Sequence, residues 1–150
     1  MPPNDGTFRQ VTDIAWDSKG NGYISDGYIN SRVAKVSKEG KWLASFGTPG
    51  GEPGQFNTLH SIASDAADRI YVADRGNRRI QVLDTEGSVV KIIVVNVPAP
   101  ADAQPATGRR PTLGPNGYSA AGPSVPGAGT MMPGAPWAIC ITPASAGKKQ

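Results

Sequence analysis

One cysteine and one histidine in 150 residues set the first limits on chemistry. Cys140 alone closes no internal disulfide and builds no site of several thiolates, and the single imidazole, His60, cannot by itself supply a metal centre of several histidines. Long apolar runs are missing as well. No stretch reaches the roughly 18 residues that a membrane helix needs, so the sequence predicts neither a membrane span nor a membrane partner. Met1-Pro2-Pro3-Asn4-Asp5 has neither the basic nor the apolar region of a signal peptide, so no export address is expected on this stretch. Apolar residues make up only 38% of the chain, below the roughly 45–50% of an average globular protein, which limits it to one small core. Nineteen glycines and fourteen prolines exclude a mostly helical fold, because both residues weaken helix interiors.

A strongly basic field is missing too, although the formal net charge is +3. Residues 1–96 hold 11 Lys+Arg against 11 Asp+Glu, and the excess comes from Arg109, Arg110, Lys148 and Lys149 in the remainder. The first two thirds of the chain therefore offer no net positive potential to a phosphate backbone, and nucleic acid is not an expected partner.

What the chain does have is an internal repeat. Gly6-Thr7-Phe8 returns as Gly54-Gln55-Phe56, Asp13-Ile14-Ala15 as Ser61-Ile62-Ala63, and Gly22-Tyr23-Ile24-Ser25-Asp26 as Ile70-Tyr71-Val72-Ala73-Asp74, each 48 residues on. Past Asp26 the step is 47, pairing Asn30 with Asn77, Arg32 with Arg79 and Glu39-Gly40 with Glu86-Gly87. The first unit thus carries one extra residue between Asp26 and Asn30. A third start is legible in Pro136-Trp137-Ala138-Ile139-Cys140-Ile141.

Each unit alternates β-branched or aromatic residues with polar ones between turn signals, which predicts four short strands. They are expected near 11–16, 22–25, 31–37 and 41–47, and again near 59–64, 69–73, 78–84 and 88–95. Gly20 supplies a left-handed turn residue in the first unit, and Asp68 fills the same slot in the second. Four antiparallel strands repeated every 40–50 residues describe a β-propeller blade. The predicted class is all-β, a partial propeller with one blade over 6–53, a second over 54–96 and the first strand of a third within 136–150. Residues 97–136, with nine prolines and seven glycines, read as an irregular insertion between blades lying across one face, with Met131, Met132 and Trp137 as anchors.

Comparing the two units separates scaffold from candidate site. Asp26/Asp74, Asn30/Asn77 and Arg32/Arg79 occur in both, so their expected role is to satisfy loop backbone groups and tie neighbouring strands. Three residues break the repeat: His60 stands where the first unit has Thr12, Arg75 where it has Gly27, and Tyr28 beside the extra residue. If strand A of each blade starts at the top face, the loop between the second and third strands is also at the top. His60, Tyr28 and Arg75 are then expected at one end of the channel, from two adjacent blades. Taken singly, each has a plain alternative: a hydrogen-bonded structural histidine, a packed tyrosine with its hydroxyl satisfied, and an arginine in a surface ion pair.

The succession Gly-x-Phe, Ile-Ala-x-Asp, Tyr-(Ile/Val)-x-Asp and Asn-x-Arg-(Val/Ile) over 6–47 and 54–93 resembles the NHL repeat. More narrowly, Ser25-Asp26-Gly27-Tyr28-Ile29-Asn30-Ser31-Arg32-Val33, Pro53-Gly54-Gln55-Phe56 with His60-Ser61-Ile62-Ala63, and Val72-Ala73-Asp74-Arg75-Gly76-Asn77 are similar to the lyase domain of the peptidylglycine α-amidating monooxygenases. That resemblance implies a six-bladed parent, with His60 as one of three imidazoles on a zinc ion, Tyr28 as catalytic base and Arg75 as the partner of a substrate carboxylate. Zinc accepts neutral imidazole and acts as a Lewis acid at an open position. A phenol, with a usual pKa of about 10, needs a nearby cation to serve as a base at neutral pH. The planar arginine fork suits the carboxylate of a hydroxyglycine.

With one histidine, this chain can supply one zinc ligand. The other two histidines, a second active-site arginine and any calcium contacts would belong to further blades, so the expected partners include the remaining blades of a longer parent. The expected function is cleavage of peptidyl-α-hydroxyglycine-type carbinolamides to amide and glyoxylate, on a small-molecule or peptide substrate. The alternative is a non-catalytic NHL propeller that binds a protein, peptide or glycan through its top face, since propellers host many functions.

Overall fold

The computed structural model describes residues 4–95, 97, 112–114, 117–119 and 135–142. Strands β1 (Asp13–Trp16), β2 (Gly22–Asp26), β3 (Arg32–Val36) and β4 (Trp42–Phe46) form one antiparallel sheet in that order. The short β5 (Thr48–Pro49) and β6 (Gln55–Phe56) pair in parallel within the crossing to the next unit. The second sheet is β7 (Leu59–Ser64), β8 (Ile70–Asp74), β9 (Arg79–Leu83) and β10 (Val89–Val94), again antiparallel and in order. The two sheets are successive propeller blades. No α-helix occurs among the described residues, only a 3-10 turn at Arg75–Asn77, and no helix there is long and apolar enough to cross a membrane.

The predicted strands fall where alternation put them, and the turns follow the predicted chemistry. Gly20 takes φ 82° and Asp68 φ 58° at equivalent places, so the aspartate fills the left-handed slot without glycine's freedom. Asp17 and Asp65 accept from the backbone N–H groups two and four residues on, closing both turns in the same way.

The core lies between the blades. Ala15, Tyr23 and Val33 from the first sheet meet Leu59, Ile62, Ile70, Val72 and Leu83 from the second and Phe56 from β6, all buried. Full burial of each larger apolar side chain stabilises by about 1.5–3 kcal/mol. Polar links run along the channel side, where β1 and β7 lie together: the Asp13 carboxylate accepts from Ser61 Oγ at 2.8 Å and from the Ile62 N–H at 3.1 Å. The Ser64 hydroxyl donates to the Trp16 carbonyl, and Thr12 Oγ1 donates to the Leu59 carbonyl.

The next unit docks by the same device. The Ile139 N–H donates to Ser61 Oγ at 3.1 Å, one repeat on from the Ile62 N–H and the side chain of Asp13. Residues 135–142 nevertheless carry no strand pairing, where the repeat predicted a first strand. A strand is defined by its ladder, and no neighbouring second strand is present among the described residues.

Part of the 97–136 segment also departs from the expected irregular chain. β11 (Thr112–Gly114) and β12 (Gly117–Ser119) form a two-stranded antiparallel ladder, and β12 runs beside β10 and the 3-10 turn. Met131 and Met132, expected as anchors, lie outside the described residues.

Candidate functional site

Two turns and the start of β7 build one end of the blade pair. The turn after β2 lies against the neighbouring blade so closely that a Cβ on Gly27 would fall 1.9 Å from the Leu59 carbonyl oxygen. Only glycine allows that approach, and the approach sets Tyr28 beside β7. In the second blade the 3-10 turn is clipped to the chain entering β7: the Arg75 N–H donates to the Thr58 carbonyl at 3.2 Å and the Gly76 N–H to the Asn57 carbonyl at 2.7 Å. Arg78 closes that turn in the left-handed conformation, with φ 50°.

Beneath each turn sits the repeated polar set. The buried Asp74 carboxylate accepts from the Asn57 N–H, Asn77 Nδ2, Arg79 Nε at 2.6 Å and Gln81 Nε2, while Arg79 donates onward to the carbonyls of Gly51, Glu52 and Gln55. Burial holds the Asp74 carboxyl above its ordinary value, although Arg79 and the Asn57 and Asn77 donors act in the opposite direction. Asp26 holds the Arg9 N–H, Asn30 and Arg32 in the same manner. These residues shape the loops, which is the scaffold role their repetition predicted.

The three residues that break the repeat come together. The Tyr28 and His60 rings meet edge-on with centroids 6.0 Å apart. Arg75 Nη1 donates to the Tyr28 hydroxyl at 3.4 Å, and its guanidinium carbon lies 5.9 Å from the centre of that ring. Tyr28 is 43% exposed whereas Arg75 is 1% exposed, so Arg75 is not the arginine of a surface ion pair that its plain reading suggested.

A fourth residue joins them. The Trp137 ring packs edge-on against His60 at 4.6 Å between centroids and lies over Arg75, whose Cζ is 3.8 Å from the ring centre. Its backbone carbonyl is 2.8 Å from His60 Nδ1. A carbonyl only accepts, so Nδ1 is the donor, and in the neutral imidazole Nε2 is then the nitrogen with the lone pair. Such an imidazole is prepared as a ligand, because an Nδ1–H bond to a carbonyl is the usual way a metal-binding histidine is oriented. The sequence marks Trp137 as an anchor and as part of the start of the third unit, not as a member of the site. One signal could have found it: Trp137 precedes Ile139 as His60 precedes Ile62, so the repeat puts it at the equivalent position of the next unit.

As a donor set, the described residues offer a zinc ion one ligand, His60 Nε2, and contain no group of three or more His, Cys, Asp or Glu that could hold a metal. What the arrangement offers chemically is a buried cation against a half-exposed phenol, with an available imidazole nitrogen alongside.

Fold and site together define a class: adjacent propeller blades that carry a polar-aromatic cluster on their shared end. Residues 56–83 match the family model described as NHL repeat. The chain is 40% identical over 81 residues to the human (Homo sapiens) NHL repeat-containing protein 3, a match covering 53% of this chain and 23% of that protein. It is 41% identical over 85 residues to peptidylglycine alpha-amidating monooxygenase of Rattus norvegicus, covering 53% and 9%. Against the probable peptidyl-alpha-hydroxyglycine alpha-amidating lyase pgal-1 of Caenorhabditis elegans it is 34% identical over 77 residues, covering 49% and 22%. The chain therefore carries NHL-type propeller structure resembling the amidating lyase domain, and spans less than a quarter of the length of these relatives.

Proposed function

We propose that this chain contributes to a lyase site acting on peptidyl-α-hydroxyglycine-type carbinolamides. The observation that carries the reading is the convergence of Tyr28, His60 and Arg75 from two blades, each at a position where the repeat is broken. The Arg75 guanidinium pairs with the substrate carboxylate and orients it. Tyr28, as phenolate, removes the proton of the carbinol hydroxyl; the oxygen's electrons form the aldehyde carbonyl as the carbon–nitrogen bond breaks. The proton taken up by Tyr28 is returned to the departing nitrogen, so that glyoxylate and the primary amide are the products. His60 presents Nε2 as one zinc ligand, the other ligands coming from beyond the residues described. Bound zinc would supply Lewis-acid polarisation and favour the ionised phenol.

Glyoxylate release from an N-acyl-α-hydroxyglycine by a parent carrying the remaining blades, with and without chelator, tests the reading. Tyr28→Phe is expected to lower turnover by about a hundredfold or more with zinc content unchanged, since only the hydroxyl is lost. Undiminished turnover removes Tyr28 from the mechanism.

A second reading is a binding propeller for a protein, peptide or glycan. It is favoured by the absence of a metal-holding group among the described residues and by the half-exposed aromatic pair Tyr28 and Trp137. A metal-free parent without turnover would support it.

A further inference from the structure

Arg75 presents a difficulty for any ligand it is meant to hold. A carboxylate pairs with guanidinium N–H groups at about 2.7–2.9 Å, yet Arg75 is 1% exposed and one face of it lies under the Trp137 indole at 3.8 Å. Tyr28 stands on another side, 3.4 Å from Nη1. Trp137 itself is 44% exposed, so the far side of the indole is in solvent. Its backbone, in contrast, is held at two points: its carbonyl by His60 Nδ1 and the nearby Ile139 N–H by Ser61 Oγ. Rotation of this one side chain towards solvent lifts the indole off the guanidinium with the backbone contacts left in place.

We propose that the Trp137 indole is a cover over Arg75 that an anionic ligand must displace, so that Trp137 sets how tightly this end of the blade pair holds carboxylates. The choice of a carboxylate as the anion rests on the lyase reading above; the cover itself rests on the burial of Arg75 and the stacking of Trp137. In the closed state the indole adds a π-face contact to the cation beside the other contacts of Arg75. A ligand gains an ion pair with Arg75 only after giving up that contact, and an uncharged analogue has nothing to gain.

The probes are N-acetylglycine and, as the uncharged control, N-acetylglycinamide, titrated into the full chain. Trp137→Ala is expected to bind N-acetylglycine about two- to thirtyfold more tightly, the range that one cation–π contact represents, with no change towards the amide. Trp137→Phe keeps a ring over the guanidinium and should fall between. Weaker or unchanged binding of the carboxylate by a folded Trp137→Ala protein overturns the proposal, as does binding by neither form.

Should Trp137→Ala fail to fold, 5-fluorotryptophan reports on the unmodified sequence. Of the three tryptophan resonances, the one missing in Trp137→Phe should move towards a solvent-exposed shift on adding N-acetylglycine, and not on adding the amide. A stationary resonance at saturation overturns the cover. Neither measurement depends on turnover. A parent carrying the remaining blades that is inactive yet behaves this way would reject the lyase and keep the cover, while an active one with the opposite response would do the reverse.

Discussion

Arg79 shows how a residue that touches no substrate can decide whether a site exists. Fully buried, it pairs with Asp74 at 2.6 Å and donates to three carbonyls of the loop that leads into β7. Asp74 immediately precedes Arg75, and His60 follows that loop. Removing the cation leaves a buried carboxylate with neutral donors only, a change that typically costs about 3–5 kcal/mol. Arg79→Met should therefore lower the unfolding midpoint strongly, and the loss should depend on pH. Burial already pushes the Asp74 carboxyl up, and without Arg79 it rises further, so the native state binds more protons than the unfolded chain above the ordinary value of 3.8. Stability of the variant then falls as pH rises from about 4 to 7. Asp74→Asn in the same chain should recover part of it. Urea titrations at both pH values check this, and equal losses with no recovery would show that Arg79 acts through its carbonyl contacts alone.

The turns joining β1 to β2 and β7 to β8 are one element built twice. Burial pushes the Asp17 carboxyl up, but the side chain and N–H of Asn21, the Lys19 N–H and the Tyr23 hydroxyl hold it below 3.8 overall. Asp65 is likewise pushed up by burial and held lower by the N–H groups of Arg69 and Ala67, the Tyr71 hydroxyl and the Arg69 side chain. For carboxyls held low in the folded state the stabilisation is complete above 3.8 and is lost as pH falls through the folded values. Melting temperatures should hence drop below about pH 4, and a chain carrying Asp17→Asn and Asp65→Asn should show a shallower acid limb with a lower plateau at neutral pH. An unchanged limb would assign acid lability to other carboxyls. These turns, and the strands they join, were legible in the sequence because period-two alternation and turn chemistry are local. The β11–β12 ladder was not, since pairing in a Pro- and Gly-rich stretch leaves no alternation to read. Nor was the missing ladder at 135–142, because pairing depends on a neighbour and not on the strand's own residues. The site divides along the same line: the broken repeat pointed to His60, Tyr28 and Arg75, and topology placed them at one end, but the close approach at Gly27 and the stacking of Trp137 exist only in three dimensions.

For the whole molecule the decisive comparison is between equivalent faces of the two blades. Ile62 of β7 is buried against the first sheet, whereas its counterpart Ile14 in β1 is 36% exposed and its neighbour Trp16 57% exposed. Alternation turns Ile14 and Trp16 to one side of β1 and the buried Ala15 to the other, where the second blade lies. The outer side of the first sheet thus presents the kind of surface that its own interior side covers on the second, and no described residue packs over it as one blade packs on the next. Exposed apolar surface of this sort drives association. The chain by itself should therefore sediment as a concentration-dependent mixture, and Trp16→Glu should shift it towards monomer with little change in melting temperature, because the residue contributes little to the core. A chain that is monomeric and melts cooperatively without the substitution would mean that two blades are sufficient for a stable unit. In that case the cluster of Tyr28, His60, Arg75 and Trp137 stands on a self-supporting scaffold, and carboxylate binding should be measurable on this chain without any further blade.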